Sequence, residues 1–324
     1  MSKFNQMRRQ QFMNERYYEI ASQVIRDSIA LWSNTLPAEG QNDLHKRALA
    51  ASDVAENRYE LFSLRYTAGE SLLELRDELE TVIAAYERYT QRKREFENDP
   101  QHPPFYFAEL LHYERLMQLI GLCYLLHRRD LLPEIAAMED PNYFGHDTLY
   151  EELLDYELPD RYDTNKIFHK KPYELLIHAM YADSDDESIQ KVIEYVKTWY
   201  PAMESLPWHG SHTRMTPEGS EYFGYWAFEA GAIAYLLDLD DSTIDHMVYP
   251  RHAVEFARSF EKNKEEFIQR GRCEALHRCP RAGYWYTPAK QNSRRKFNSG
   301  ETMPDFPGSS WGATIWYWDT NQDE

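Results

Sequence analysis

The chain predicts an all-α fold, a two-domain helical bundle followed by an irregular C-terminal extension with room for a small β-hairpin. Three observations carry this reading. Apolar residues recur at three- and four-residue steps through most of the first 270 positions. Neither strand–helix alternation nor a repeat of fixed period is present. Beyond Gly271 the composition turns to Pro, Gly, Ser and aromatic residues. With 324 residues, 42% hydrophobic and 15% aromatic, the chain is long enough to bury two cores.

The elements follow in order. Gln6–Asn34 carries Phe12, Tyr17, Ile20, Ile25, Ile29 and Trp32 on one helix, which Leu36-Pro37 stops. Leu44–Tyr66 forms a second helix, and Gly69 supplies the free backbone needed to leave it. In Ser71–Phe96, Leu72, Leu75, Leu79, Val82, Ile83 and Tyr86 make one apolar stripe. Ser71 and Glu74 have capping-box spacing at its start. Pro104–His127 is a fourth helix. Met138–Asp163, with Pro141, Gly145 and Pro159 around one short helix, reads as a linker or domain boundary. Helices resume over Pro172–Tyr181, Asp186–Met203, Tyr222–Leu237 and Pro250–Arg270.

Pro201, Pro207, Gly210, Pro217 and Gly219 put Trp208 in a loop. Residues 1–129 and 130–270 are the expected helical domains, with 271–324 a basic, aromatic tail. In that tail Gly283–Thr287 and Ala313–Trp318 are strand candidates that can pair.

Tyr222–Leu237 is the most informative helix. Large apolar residues alternate with Gly224, Ala227, Ala230, Gly231, Ala232 and Ala234, a pattern for a helix buried on every side. Glu229 in its middle needs a partner or a proton. Asp240, Asp241 and Ser242 end this helix and are placed to cap a following one.

Charge is unevenly spread. The formal net charge is −18, and residues 139–250 hold 23 carboxylates against seven Lys and Arg. Such a balance argues against direct nucleic-acid binding, which places Lys and Arg on the contact face. Two clusters stand out, Glu151, Glu152, Asp155 and Asp160, then Asp183, Asp185, Asp186 and Glu187. Either is a solvated face or a surface for a basic partner. The second also suits a helix N-terminus. Against this, residues 271–300 are basic, with Arg272, Arg278, Arg281, Lys290, Arg294, Arg295 and Lys296.

Motifs for chemistry are weak. Cys273, His277 and Cys279 bring three soft donors together but lack a fourth unless His252 supplies it, and free thiols are the favoured reading. His209 and His212 lack the spacing of a helical zinc site and instead suit hydrogen bonding that fixes the Trp208 loop. Glu229 is the residue that most resembles a general acid; pairing with a buried Arg, Tyr or Trp is its alternative. No phosphate loop, nucleophile elbow or Cys-x-x-Cys pair is present. Met1–Asn14 is polar and basic, and no apolar run approaches the roughly 20 residues of a membrane span, so no membrane partner and a cytoplasmic location are expected. Three cysteines make no disulfide scaffold.

Tyr222–Ser242, YFGYWAFEAGAIAYLLDLDDS, together with Trp208-His209-Gly210-Ser211-His212, resembles the C-terminal domain of the PoNe immunity proteins (PoNi). Asn57–Glu70, NRYELFSLRYTAGE, resembles the PoNi N-terminal domain, with Thr67 where Ser is more usual. The tail is similar to end-segments of immunity and cargo proteins of type VI secretion loci.

The resemblance implies an immunity protein that binds a cognate PoNe-type DNase toxin and occludes its active site. Toxins of that family are metal-dependent nucleases of the PD-(D/E)xK type; the inhibitor needs no metal, cofactor or catalytic residue. It implies structural roles for Trp208, His209, Gly224, Tyr225, Trp226, Glu229 and Asp241, and favours the two acidic clusters as the toxin-binding face. A homodimer is a further expectation. A helical carbohydrate-active enzyme, with Glu229 one of two carboxylates across a cleft, and a secretion adaptor docking through its tail are the rival readings.

Overall fold

The computed structural model describes residues 2–216, 221–262, 271–279, 282–290, 292–298, 300–306 and 314–319. Pro217, Gly219, Arg281, Ala313 and the 263–270 end of the last expected helix lie outside them. Two compact units result, Met1–Ala257 and Arg258–Glu324. The boundary expected at 129/130 therefore falls inside one packed body.

The described helices are α1 (Lys3–Met7), α2 (Glu15–Asn34), α3 (Asp43–Ala68), α4 (Leu72–Glu97), α5 (Leu110–Leu125), α6 (Leu132–Tyr143), α7 (Thr148–Asp155), α8 (Lys170–Met180), α9 (Asp185–Ala202), α10 (Phe228–Leu236) and α11 (Arg251–Lys262). The long amphipathic helices α2, α3 and α4 pack in sequence, α8 pairs with α9, and α5 packs on α10. Every residue of α5 from Tyr113 to Leu125 is buried, as is α10 from Phe228 to Tyr235. Together they are the central rods of the unit.

Small residues set that centre. A Cβ on Gly121 would stand 2.8 Å from the Glu229 backbone nitrogen and 2.8 Å from the Phe228 carbonyl carbon. A Cβ on Gly231 would stand 2.6 Å from Pro250 Cγ. At Gly121 the two helix backbones approach closely because there is no side chain, and at Gly231 the space is taken by the side chains of Pro250, Val254 and Leu125.

Several expectations require correction. The first helix is broken, because residues 8–14 leave helical geometry to make long-range bonds. The Arg9 backbone N–H donates to Thr67 O (2.8 Å), and the buried Gln10 amide donates to the carbonyls of Tyr225 (2.7 Å) and Met247 (2.9 Å). Gly69 ends α3 as expected, at φ +93°, with the backbone of Met7 where a Cβ would go.

The capping box does not form. Ser71 makes no side-chain cap bond, while Glu74 joins Glu70 and Glu78 around the Arg65 guanidinium. The expected linker is instead two core helices, α6 with Pro141 inside it and α7. The buried helix starts at Phe228 rather than Tyr222.

In the second unit the strands β1 (Arg272–Glu274), β2 (Gly283–Tyr286), β3 (Arg295–Phe297) and β4 (Ile315–Trp318) form an antiparallel sheet in the order β1-β4-β2-β3. The expected pairing holds, with Trp285 opposite Trp318 and Tyr286 opposite Tyr317. Trp285, Phe297, Trp316, Met303, Cys273 and Cys279 bury against one another. Cys273 and Cys279 are free thiols, and no metal-holding group of His, Cys, Asp and Glu occurs among the described residues.

Substituting Gly121 by Ala tests the central crossing. The new methyl meets backbone rather than a movable side chain, so a loss of about 1–3 kcal/mol is expected in urea unfolding. An unchanged midpoint would show that α5 and α10 can part without cost.

Candidate functional site

The first acidic cluster is built on α7 and the chain that follows it. Asp147 caps α7, its Oδ1 accepting from Tyr150 N (3.0 Å) and Tyr113 OH (2.9 Å), while Oδ2 accepts from Phe168 N (3.0 Å). The Thr148 hydroxyl donates to carbonyls of Thr164 (2.7 Å) and Lys166 (2.8 Å). Residues 156–169 are thereby fastened across the start of the helix.

Arg161 is the main fastening. Its side chain is only 5% exposed, and it pairs with Asp140 (2.7 Å) and Glu151 (2.8 Å). Burial alone would lower its pKa, but hydrogen bonds to the two carboxylates prevail and raise it. Glu151 is 2% exposed and also accepts from Gly145 N (2.7 Å) and Tyr162 N (3.2 Å). Glu151 therefore cannot meet a partner; it holds the loop, which corrects its place in the expected surface.

The rest of that cluster does face solvent. Glu152 is half-buried, and Asp155, Asp160 and Asp163 are exposed. Aromatic rings stand among them: Tyr156, Tyr162 and Tyr181 are 42%, 58% and 61% exposed. The Tyr181 hydroxyl donates to Glu152. Its pKa is pushed up to about 12 by that bond, by desolvation, and by the charges of Asp163 and Asp155. The Tyr156 pKa is raised by burial and by Glu152 and Asp155. Tyr156 and Tyr181 thus feel the same carboxylates, Glu152 and Asp155. Asp155, Asp160 and Asp163 have no ion-pair partner among the described residues.

Tyr181 also leads into the second cluster. It caps the C-terminus of α8, and Asp183 follows two residues later. Asp185, Asp186 and Glu187 occupy the first turn of α9 behind the cap Ser184, whose hydroxyl accepts from Glu187 N (3.3 Å). All four are exposed. They satisfy the helix dipole and extend the negative surface at once. The sequence does not single out these exposed tyrosines, since periodicity does not distinguish an exposed ring from a buried one.

The motif residues lie elsewhere and are structural. Tyr222–Trp226 forms an extended strap across α2 and α3. Tyr17 OH donates to Tyr222 O (2.9 Å), and the Trp226 indole donates to the Thr67 hydroxyl (2.8 Å). Gly224 takes φ +116°, and a Cβ there would stand 2.1 Å from Thr67 Oγ1. The Trp208 loop rests on this strap rather than on α10. Trp208 stacks on Trp199 (5.4 Å between centroids), and His209 stacks on Tyr200 (4.2 Å). Backbone N–H and Nδ1 of His212 lie 3.0 and 2.9 Å from the Tyr225 hydroxyl. Asp241 caps no helix; it is buried and accepts from Tyr249 OH (2.6 Å).

Glu229 is sealed in the core at 0% exposure, with Tyr195 OH donating to Oε1 (2.6 Å). Its second oxygen lies beside the Trp199 indole without a hydrogen bond of good geometry. Desolvation raises its pKa to about 7, and raises that of the equally buried Glu114 to about 8. Surface cavities of 610, 290 and 420 Å³ are lined by other residues. Glu229 lines none of these cavities and does not reach solvent, so it is not placed as one of two carboxylates facing a substrate.

Residues 145–252 match the family described as PoNe immunity proteins (PoNi), C-terminal. The matched span contains both acidic clusters, the Trp208 loop, the strap and α10. The crystal structure of protein PA2201 from Pseudomonas aeruginosa shares the fold, at 20% identity and a TM-score of 0.62, over 78% of this chain and 92% of that one. A search of curated proteins finds no match. Among the described residues no helix is long and apolar enough to cross a membrane.

Two outcomes follow. Glu114 and Glu229 have folded pKa values above their ordinary 4.5. The folded chain thus binds more protons than the unfolded one, and the stability they contribute is full below about pH 4.5 and lost as pH rises through 7 to 8. Glu229→Gln keeps an acceptor for Tyr195 and should stabilise the protein by up to about 3 kcal/mol at pH 8, with little change at pH 4.5, in urea titrations. Arg161→Met leaves Glu151 buried without its cation and should cost about 3–5 kcal/mol; unfolding monitored by circular dichroism reads it.

Proposed function

We propose that this chain is an immunity protein that binds a cognate DNase effector toxin and covers its active site with the face around Tyr181. The carrying observation is the set of exposed tyrosines, Tyr156, Tyr162 and Tyr181, among the carboxylates Glu152, Asp155, Asp160 and Asp163, inside the span matched to the PoNi C-terminal domain. A DNA-cleaving site is electropositive because it holds phosphates. Carboxylates without cations of their own accelerate encounter with such a site and occupy the phosphate positions. Tyrosine rings supply the desolvated anchors that charge alone does not. Neither a metal nor a cofactor takes part, and the inhibitor performs no reaction.

The likeness of Asn57–Glu70 to the PoNi N-terminal domain extends this reading to the first helices, which hold the strap in place. The toxin is the product of the neighbouring reading frame, delivered by a type VI secretion system and neutralised in the cytoplasm.

Co-expression of that toxin tests the proposal, scored by viability and chromosomal integrity. The wild-type chain should rescue growth with intact DNA. Glu152→Lys/Asp155→Lys/Asp163→Lys should lose rescue while retaining its helical circular dichroism, with association slowed about tenfold or more. Tyr181→Ala should speed dissociation, by about 2 kcal/mol if the ring is a central anchor. Rescue indifferent to both variants would place the interface elsewhere. Failure of the wild-type chain to bind the toxin would end the immunity reading.

A further inference from the structure

A cavity of unusual lining lies in the first half of the chain, far in sequence from the matched domain. The end of α2 and the facing sides of α3 and α4 enclose a cavity of about 290 Å³. Ala50, Ala51, Val54, Ala85, Trp32 and Leu36 line it together with the polar end of α2 and three arginines, Arg47, Arg88 and Arg92. No carboxylate is among the lining residues. In a chain of net charge −18 that is a local reversal of sign.

The three cations are held together by the fold. Arg88 and Arg92 are four residues apart on α4, hence on one helix face, where like charges repel. Arg47 is brought opposite by α3, which packs along α4. Arg92 is partly neutralised by Glu95 at 2.7 Å. Arg47 and Arg88 have no ion pair among the described residues, although α3 and α4 carry many carboxylates. Cations gathered beside apolar residues, two of them without an ion pair among the described residues, match an anion with an apolar body. The guanidinium forks suit the planar or tetrahedral oxygens of a carboxylate or phosphate. The alanines leave room for one ring, and Trp32 offers it a face. The volume suits a small molecule of that size and nothing larger.

We infer that this cavity binds a small organic anion, a carboxylate or phosphate monoester on a single-ring or short aliphatic body. The site is independent of the toxin-binding face.

The test uses the full chain and phenyl phosphate, with benzoate, inorganic phosphate and phenol as companions, in isothermal titration at low and moderate salt. Saturable one-to-one binding of phenyl phosphate is expected, with Kd on the order of 1 mM or tighter. Arg47→Gln and Arg88→Gln should each weaken it about tenfold without moving the thermal midpoint of the free protein, because both side chains are exposed. Phenol should bind far more weakly. Preference for phenyl phosphate over benzoate identifies a phosphate monoester as the head group, and the reverse a carboxylate. Binding of inorganic phosphate as tight as the ester would overturn the apolar part of the site. No saturation by any anion at 10-fold above that Kd, or binding untouched by both substitutions, would overturn the inference.

Discussion

The close crossing of α5 and α10 at Gly121 is the contact from which the rest of the first unit follows. Without a Cβ at that position, the backbones of Gly121, Phe228 and Glu229 come within van der Waals reach. That approach buries both helices on every side and leaves no solvent for the polar groups they carry. Glu229 and Glu114 are therefore internal acids, met by Tyr195 and Gln118 rather than water. Burial without a full set of partners is costly, and the two carboxyls hold their protons to higher pH than usual. An acid that looks catalytic in isolation is here a consequence of close packing.

The same crossing fixes where the strap enters. Tyr222–Trp226 runs into α10 and lies over α2 and α3, with Gln10, Tyr17 and Thr67 bonding its backbone or side chains. Residues distant in sequence close one core, so the two expected domains become one body. The Trp208 loop is stacked onto this assembly through Trp199 and Tyr200. Rigidity in the matched domain thus depends on the first helices as well as on its own.

Carboxylates in this second half divide by what surrounds them. Asp140 and Glu151 are consumed by Arg161, and Asp147 by three donors, so these acids position backbone. Asp155, Asp160 and Asp163 stand outside that arrangement with tyrosines between them. Asp140, Asp147 and Glu151 hold the segment that presents Asp160 and Asp163. A negative face with fixed rings loses less entropy on binding than one on a free loop. The arginine-lined cavity between α3 and α4 has the opposite charge and a different scale, one that accepts a single ring.

Helical class, the stops at Gly69 and Leu36-Pro37, the buried character of α10 and the pairing of β2 with β4 were legible from periodicity, special backbone residues and apolar composition. These are local signals, set by each segment's own side chains. The break at residues 8–14, the burial of Glu151, the loss of the Ser71 cap and the core placement of α6 and α7 were not. Each depends on a partner in another segment: Tyr225 for Gln10, Arg161 for Glu151, Arg65 for Glu74, Phe105 and Tyr113 for the helices after Asp130. The sequence alone determined that the second half is acidic and rich in tyrosine. Tertiary structure decided which carboxylates and which rings reach solvent, because exposure is a property of packing between segments and no single segment encodes it.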